Sequence, residues 1–250
     1  MTKIGEMPYL NSEIFYLNRI SDFNYINLTP KKMGVAISEM KINAGPISLV
    51  DFFKTDNLNL LNNYCVATKK SANSVFLFSE EKVDDIENIY ITNETSTSVK
   101  LLKTLNHFYW KNKQIVYQKN PTNCKSKLII GDSALKMLNN SEFKYKYDLG
   151  HEWNNLTGLP FVFALWAYNK LGDTELKDLE NSINLGLDNF NASLEMIIRK
   201  NERIYLSKSE IINYLEGFSY RVGNLEEKAI NTFKEMYNEI EGWNFYDKFN

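Results

Sequence analysis

The chain has 250 residues, of which 44% are hydrophobic and 24% charged, close to the averages of soluble globular proteins. This length allows one large domain or two lobes, and the composition excludes a disordered or fibrous chain. Lys and Arg number 29 against 31 Asp and Glu, without the basic clustering expected of a nucleic-acid partner. The sequence shows no secretory signal and no apolar stretch of membrane-spanning length, which predicts a cytoplasmic protein with no membrane partner.

Cysteine and histidine are scarce, with only Cys65, Cys124, His107 and His151 in the chain. None of them stands at metal-ligand spacing, so we predict no metal site and two reduced thiols. Two histidines also give little material for a Ser-His-Asp or Cys-His catalytic site.

The first part of the chain alternates between strand and helix patterns. We predict strands at 3–10, 23–28, 44–48, 74–79 and 89–92. The first strand closes at Pro8, and Ser12 resembles a helix cap, which places Asn11 at a strand-to-helix junction. Thr29 and Pro30 open a second helix. A hydroxyl-rich run, Thr95-Ser96-Thr97-Ser98, then begins a helix after the fifth strand.

The second part continues this pattern and then changes. Further strands are predicted at 114–118, 127–130 and 161–168, the second of which leads into Gly131 and Asp132. From about residue 173 we predict three helices and no further strand, at 174–200, 207–219 and 225–241. The alternation indicates an α/β fold with ligand sites at the carboxyl ends of its strands.

Five stretches, followed by a sixth in the helical tail, carry a family resemblance. They are residues 8–11 (PYLN), 44–53 (AGPISLVDFF), 96–99 (STSV), 128–135 (LIIGDSAL), 147–166 (YDLGHEWNNLTGLPFVFALW) and 214–223 (YLEGFSYRVG). Together they resemble the menaquinone-biosynthesis family that includes the chorismate dehydratases of the futalosine pathway. The resemblance covers nearly the whole chain, and the stretch at 147–166 is its most specific part.

This resemblance implies an α/β fold of the periplasmic-binding-protein type (type 2), with two lobes and a ligand cleft between them. Lobe 1 is expected at 1–90 plus 176–250, including the C-terminal helices, and lobe 2 at 91–175. The implied activity is that of a hydro-lyase, a carbon–oxygen lyase that removes water from chorismate to give 3-[(1-carboxyvinyl)oxy]benzoate. The implied partner is this small-molecule substrate, the protein is a monomer or homodimer, and no cofactor is required.

The resemblance also implies site residues. Asn11 and Ser74 match the positions that bear function in the family, and we predict them as catalytic. Substrate-binding residues are predicted at Ser48, Thr97, Ser98, Gly131, Asp132 and Thr157. The chain departs from the family at 70–72, where Lys-Ser-Ala replaces Gly-Pro-Val, and at Ser96, where the family has arginine.

Several alternatives stay open at this point. Asn11, Thr97 and Ser98 are also typical of helix caps, and Asp132 of a first helical turn. The proton acceptor is either the substrate's own side-chain carboxylate or a protein group, of which Asp51 and Asp132 are the nearest candidates. A non-catalytic carboxylate-binding protein of the same fold, or a paralogous enzyme of the futalosine pathway, are the alternative functions.

Overall fold

A computed structural model describes residues 1–92, 96–122, 124–140, 143–200 and 203–241, which form two mixed β-sheets with flanking helices. The described strands are β1 (Lys3–Glu6), β2 (Asn24–Asn27), β3 (Ala44–Ser48), β4 (Asn59–Thr68), β5 (Val75–Ser79), β6 (Asn88–Ile91), β7 (Val116–Gln118), β8 (Ser126–Ile130), β9 (Tyr145–Asp148), β10 (Phe161–Tyr168) and β11 (Phe218–Arg221).

The described α-helices are α1 (Pro30–Ser38), α2 (Leu49–Lys54), α3 (Thr97–Leu105), α4 (Gly131–Asn140), α5 (Leu149–Thr157), α6 (Asp173–Asp188), α7 (Phe190–Lys200), α8 (Lys208–Glu216) and α9 (Asn224–Glu241). Short 3-10 helices span Leu10–Tyr16 and Val83–Asp85, and a π-helical turn spans Asn106–Trp110. Within the described part of the chain, none of these helices combines the length and the apolar character needed to cross a bilayer.

The first unit of the chain contains Met1–Ala67 and Phe163–Val222. Its six-stranded sheet has the order β11-β4-β10-β3-β1-β2. β1 runs parallel to both β2 and β3, whereas β10 runs antiparallel to β3. Nearly every residue of β10 is buried, as its continuous run of apolar side chains predicts. Phe15 packs edge-on against Trp166 and Tyr220 in the core of this unit, with ring centroids 5.4 and 5.5 Å away.

The second unit contains Thr68–Val162 and the segment from Gly223 onward that includes α9. Its five-stranded sheet has the order β7-β6-β8-β5-β9. β5 runs antiparallel to β8 and β9, and β6 runs parallel to β7 and β8. Trp153, Phe161 and Phe233 form an edge-to-face aromatic cluster in its core, with ring centroids 5.0 to 5.9 Å apart.

The boundaries of these units differ from the expected lobes, which divided the chain at 90/91 and 175/176. The structure divides it after Ala67, Val162 and Val222. β5 belongs to the sheet of the second unit because it pairs with β8 and β9, and α9 joins that unit because Phe233 packs on Trp153 and Phe161. Neither long-range pairing has a local sequence signal.

The three helices predicted for the tail differ from the structure at two places. The expected helix at 174–200 is two helices, α6 and α7, separated at Asn189. The expected helix at 207–219 ends at Glu216, and Phe218–Arg221 forms β11 at the edge of the first sheet. Tertiary pairing with β4 decides the conformation of this four-residue segment, which is too short to show a strand pattern of its own.

Candidate active site

The loops that carry most of the predicted site residues meet at one end of the second sheet, where several of its strands begin or finish. Because β5 is antiparallel to β8 and β9, its first residue lies beside the ends of those strands, with Val75 opposite Ile130 and Phe76 opposite Asp148. β6 is parallel to β8 and ends at the same edge. The chain enters α3, α4 and α5 after β6, β8 and β9, so three helix N-termini start near the position of Ser74. Free N–H groups and dipoles at such termini favour anions.

A backbone hydrogen bond joins two of the predicted residues. The Gly131 N–H donates to the carbonyl oxygen of Ser74 at 2.7 Å, which ties the start of β5 to the start of α4. Gly131 has a φ of 61°, in the left-handed region that favours glycine at this sharp turn. Ser74 is 1% exposed, and its hydroxyl donates to the carbonyl oxygen of Ala72 at 3.2 Å.

Asp148, which sequence reasoning did not select, organises this edge. Its carboxyl group is buried and accepts four backbone hydrogen bonds, from the N–H groups of Ala72 (2.9 Å), Asn73 (2.6 Å), Gly150 (2.9 Å) and His151 (3.0 Å). Burial raises the pKa of this carboxyl above its ordinary value, and the four donors act in the opposite direction. Asp148 therefore caps α5 and also holds the segment before Ser74 against that helix.

Close backbone contact explains the glycine of the Asp148-Leu149-Gly150 stretch. A Cβ atom at Gly150 would lie 2.8 Å from the Ala72 nitrogen, which is too close for any other residue without a shift of the backbone. Asn73 adopts a φ of 54°, which turns the chain into β5. The segment at 70–72, where the family has Gly-Pro-Val, is thus held in a defined conformation by its hydrogen bond to Asp148.

Thr97 and Ser98 lie in the first turn of α3 and are 2% and 3% exposed. Ser96 occupies the N-cap position, so neither hydroxyl has the capping position that was one of their two interpretations. Thr95 of the same run lies outside the described residues. Both side chains are buried next to the N–H groups of the first turn of α3.

Asp132 and Thr157 lie at opposite ends of their helices. Asp132 is in the first turn of α4. Thr157 is the last residue of α5, where its hydroxyl donates to the Trp153 carbonyl at 2.8 Å and accepts from the Leu159 N–H at 3.1 Å. These bonds give Thr157 a structural role at the end of α5, one helix length of about 13 Å from the edge that carries Asp148.

Asn11 lies in the first unit, on the 3-10 helix that follows β1. Tyr16 of the same helix fixes this turn, because its hydroxyl donates to the Gly5 carbonyl at 3.1 Å and accepts from the Met7 N–H at 3.2 Å. An ion pair between Glu13 and Arg203 holds the turn on its other side. The clamp by Tyr16 was not foreseen from the sequence.

The position of Asn11 excludes the capping interpretation. The helical segment begins at Leu10 with Tyr9 at the N-cap position, so Asn11 is its second residue. The Asn11 Oδ1 atom accepts a hydrogen bond from the Ser12 hydroxyl at 3.1 Å. Its Nδ2 group donates to none of the residues that the structure describes, and the side chain is half-buried. An oriented amide donor is therefore present after β1.

Ser48 is the last residue of β3, the parallel neighbour of β1, so it lies at the end of the first sheet where β1 also ends. Its hydroxyl donates to Asp51 Oδ2 at 2.6 Å and accepts from the Asp51 N–H at 3.3 Å, so Ser48 caps α2. A Cβ atom at Gly34 would lie 2.6 Å from Asp51 Oδ2, which shows how tightly this carboxylate packs against α1. Its contacts give Asp51 a structural role.

Ser48→Ala is expected to lower the free energy of unfolding by about 1 kcal/mol, the usual cost of a lost N-cap. Ser207 is a matched control, since it caps α8 through the same pair of contacts with Glu210, at 2.6 and 3.3 Å. Urea unfolding of Ser48→Ala and Ser207→Ala should give similar losses. If Ser48 also binds substrate, only Ser48→Ala raises KM, and equal KM values in both variants would leave Ser48 as a cap alone.

Glu152 is a further titratable group that the sequence did not single out. It lies in the first turn of α5 and accepts a hydrogen bond from Trp110 Nε1 at 3.2 Å. Burial raises the pKa of its carboxyl above the ordinary value. The i, i+4 pattern of α5 gives no signal for this, because Trp110 belongs to the π-helical turn 42 positions earlier.

The sequence comparisons agree with one another. A family model described as menaquinone biosynthesis matches residues 2–239. Among curated proteins, a chorismate dehydratase of Thermus thermophilus is 26% identical over 188 residues, which cover 67% of this chain and 69% of that protein.

Solved structures show the same fold at low identity. A protein from Archaeoglobus fulgidus is similar with a TM-score of 0.71 at 13% identity, covering 96% of this chain and 97% of that one. The alkanesulfonate-binding protein SsuA of Xanthomonas axonopodis pv. citri has a TM-score of 0.63 at 12% identity, covering 96% and 92%. A Candida albicans protein with the generic periplasmic binding protein fold has a TM-score of 0.62 at 11% identity, covering 99% and 92%. The predicted α/β, periplasmic-binding-protein-like fold is confirmed, and with its family model matched from residue 2 to residue 239, this chain belongs to the menaquinone biosynthesis family.

Proposed function

We propose that the protein is a chorismate dehydratase of the futalosine pathway, a hydro-lyase that converts chorismate to 3-[(1-carboxyvinyl)oxy]benzoate and water. Family membership and the Thermus thermophilus relative support an enzyme of menaquinone biosynthesis. The observation that carries the proposal is the Asn11 amide, which lies on the 3-10 helix that follows β1 and has an N–H donor that no described residue uses. Asn11 is also one of the two residues, with Ser74, that the family resemblance selects as catalytic.

The chemistry requires loss of the ring C3 hydrogen as a proton and of the C4 hydroxyl as water, after which the ring is aromatic. Loss of this proton places negative charge on the ring carboxylate. Oriented neutral donors stabilise such charge without the cost of burying a cation. Each unit contains donors of this kind. The first unit has the Asn11 amide, and the second has hydroxyl and N–H groups at the start of α3 and α4.

The proton acceptor in this proposal is the enolpyruvyl carboxylate of the substrate itself. Of the two protein alternatives, Asp51 is engaged by Ser48 and packed against α1, which leaves it poorly suited to accept a proton from a ligand. Asn11 and Ser74 then act by orienting the substrate carboxylate and the leaving hydroxyl. Ser48, Thr97, Ser98, Gly131 and Asp132 stay proposed substrate contacts, whereas the hydrogen bonds of Thr157 at the far end of α5 favour a structural role.

Purified protein incubated with chorismate is expected to form the enolpyruvyl benzoate without added metal or nucleotide, as followed by liquid chromatography and mass spectrometry. Activity should survive exhaustive EDTA treatment. Saturable chorismate binding without any product would instead indicate the non-catalytic binding protein. Turnover of a later futalosine-pathway intermediate, with chorismate untouched, would indicate the paralogous enzyme.

A further inference from the structure

A cavity of about 450 Å³ in the second unit lies away from the sheet edge that carries Ser74. It is lined by Lys103, Asn106, His107, Lys111, Asn112, Lys113, Ile115, Tyr117 and Ile240. These residues come from the last turn of α3, the π-helical turn, the loop before β7, β7 itself and the end of α9. The cavity is therefore at the opposite end of α3 from Thr97 and Ser98.

The frame of the cavity is held by a network of amide hydrogen bonds. Asn112 is 8% exposed, and its Nδ2 group donates to the carbonyl oxygens of Val83 and Ile86 at 2.8 and 2.9 Å. The Asn106 side chain bonds the backbone of Asn112 in both directions, at 2.8 and 3.2 Å. The loop that presents Lys111 and Lys113 is thereby fixed on both sides of Asn112, so the cavity is built before any ligand binds.

The titratable residues that line the cavity are mostly basic. Three lysine side chains and the His107 imidazole surround the cavity, and no carboxylate is among the lining residues that the structure describes. Lysines near the end of a helix interact favourably with the helix dipole, which accounts for Lys103. It does not account for Lys111 and Lys113, which lie in the following loop. Like charges around one cavity repel, and a bound anion relieves that repulsion.

The remaining walls define the rest of a ligand. Ile115, Ile240 and the ring of Tyr117 form an apolar side, and the Lys103 ammonium lies 5.5 Å from the centre of the Tyr117 ring. The Tyr117 hydroxyl is buried close to Asn106, but the Asn106 amide is committed to Asn112 and the hydroxyl has no well-formed hydrogen bond within the described residues. A buried hydroxyl of this kind is a donor for a ligand atom.

We propose that this cavity binds a small organic dianion, with its oxyanion group among Lys103, Lys111 and Lys113 and its apolar body against Ile115, Tyr117 and Ile240. A phosphate monoester and an aromatic dicarboxylate share this chemistry. Binding requires neither catalysis nor chorismate, so it is independent of the proposed function.

The test uses the full-length protein and isothermal titration with three probes: phenyl phosphate, isophthalate and inorganic phosphate. We expect saturable binding of phenyl phosphate or isophthalate, weaker binding of inorganic phosphate, and a loss of affinity as ionic strength rises. The tighter of the two aromatic probes identifies the oxyanion as phosphate or carboxylate. If neither aromatic probe binds saturably, or if inorganic phosphate binds as tightly as both, the proposal is overturned.

Variants locate the binding. The double variant Lys111→Gln/Lys113→Gln should lose at least about tenfold in affinity for the tighter probe, since hydrogen bonds to charged groups are among the strong ones. Lys31→Gln/Lys32→Gln on the exposed face of α1 removes the same charge from the first unit and serves as the control. Equal losses in the two double variants, or none in the first, would show that the probe binds elsewhere and overturn the assignment.

Discussion

Asn11→Asp is expected to keep the fold and to lower kcat/KM at least about 10²-fold, the usual cost of one lost oriented donor. The aspartate retains the acceptor that the Ser12 hydroxyl uses, and a carboxylate in the first turn of a helical segment is favoured by the dipole. The free energy of unfolding should therefore change by no more than a few tenths of a kcal/mol. In contact with a dicarboxylate substrate, however, the new charge replaces a donor and repels the ligand.

Asn18→Asp provides the matched control, because Asn18 is also half-buried and lies seven positions farther along the chain. Steady-state kinetics with chorismate and thermal unfolding should be measured on both variants. The control should retain parental kinetics. If Asn11→Asp turns over chorismate within about threefold of the parent, well below the effect of a lost donor, then Asn11 does not contact the reacting groups.

The sequence is sufficient to predict the elements with strong local patterns. β3 and β10 have the predicted bounds, and β1, β2, β5, β6, β7 and β8 lie within one or a few residues of theirs. The strand β4 was not predicted, because Asn62 and Asn63 interrupt its apolar pattern and asparagines are typical of turns. Asn62 does adopt a φ of 52°, but Asn63 pairs with Val222 next to β11, and the strand continues through this position.

The strand-to-helix transitions that carry candidate site residues were predictable. Ser48 ends β3, Gly131 directly follows β8, and Asn11 lies in the helical segment after β1 rather than at the end of a strand reaching residue 10. Ser48 three positions before Asp51 is typical of a helix cap. Burial and hydrogen bonding of these side chains were not predictable. Tyr16 and Asp148 act through partners that the sequence does not place beside them, and Asp148 meets Ala72 from 76 positions away.

Asp148→Ala is expected to lower the free energy of unfolding by at least about 3 kcal/mol, because four backbone N–H groups lose their common acceptor and each unpaired buried donor costs about 1–3 kcal/mol unless water replaces the carboxyl. Asp148→Asn keeps Oδ1, which accepts three of the four bonds, and places an N–H2 group against the Asn73 N–H. A smaller loss of about 1–2 kcal/mol follows for this variant, the cost of one unpaired donor.

Urea unfolding should therefore rank the variants as Asp148→Ala below Asp148→Asn, and both below the parent. Asp178→Ala removes a carboxylate from an exposed position of α6 and should leave the free energy of unfolding within about 0.5 kcal/mol of the parent's. An Asp148→Ala midpoint equal to that of Asp178→Ala would contradict the role of Asp148. Since Asp148 also holds the segment that leads to Ser74, Asp148→Asn should lose turnover at a temperature where it is fully folded, whereas Asp178→Ala should not.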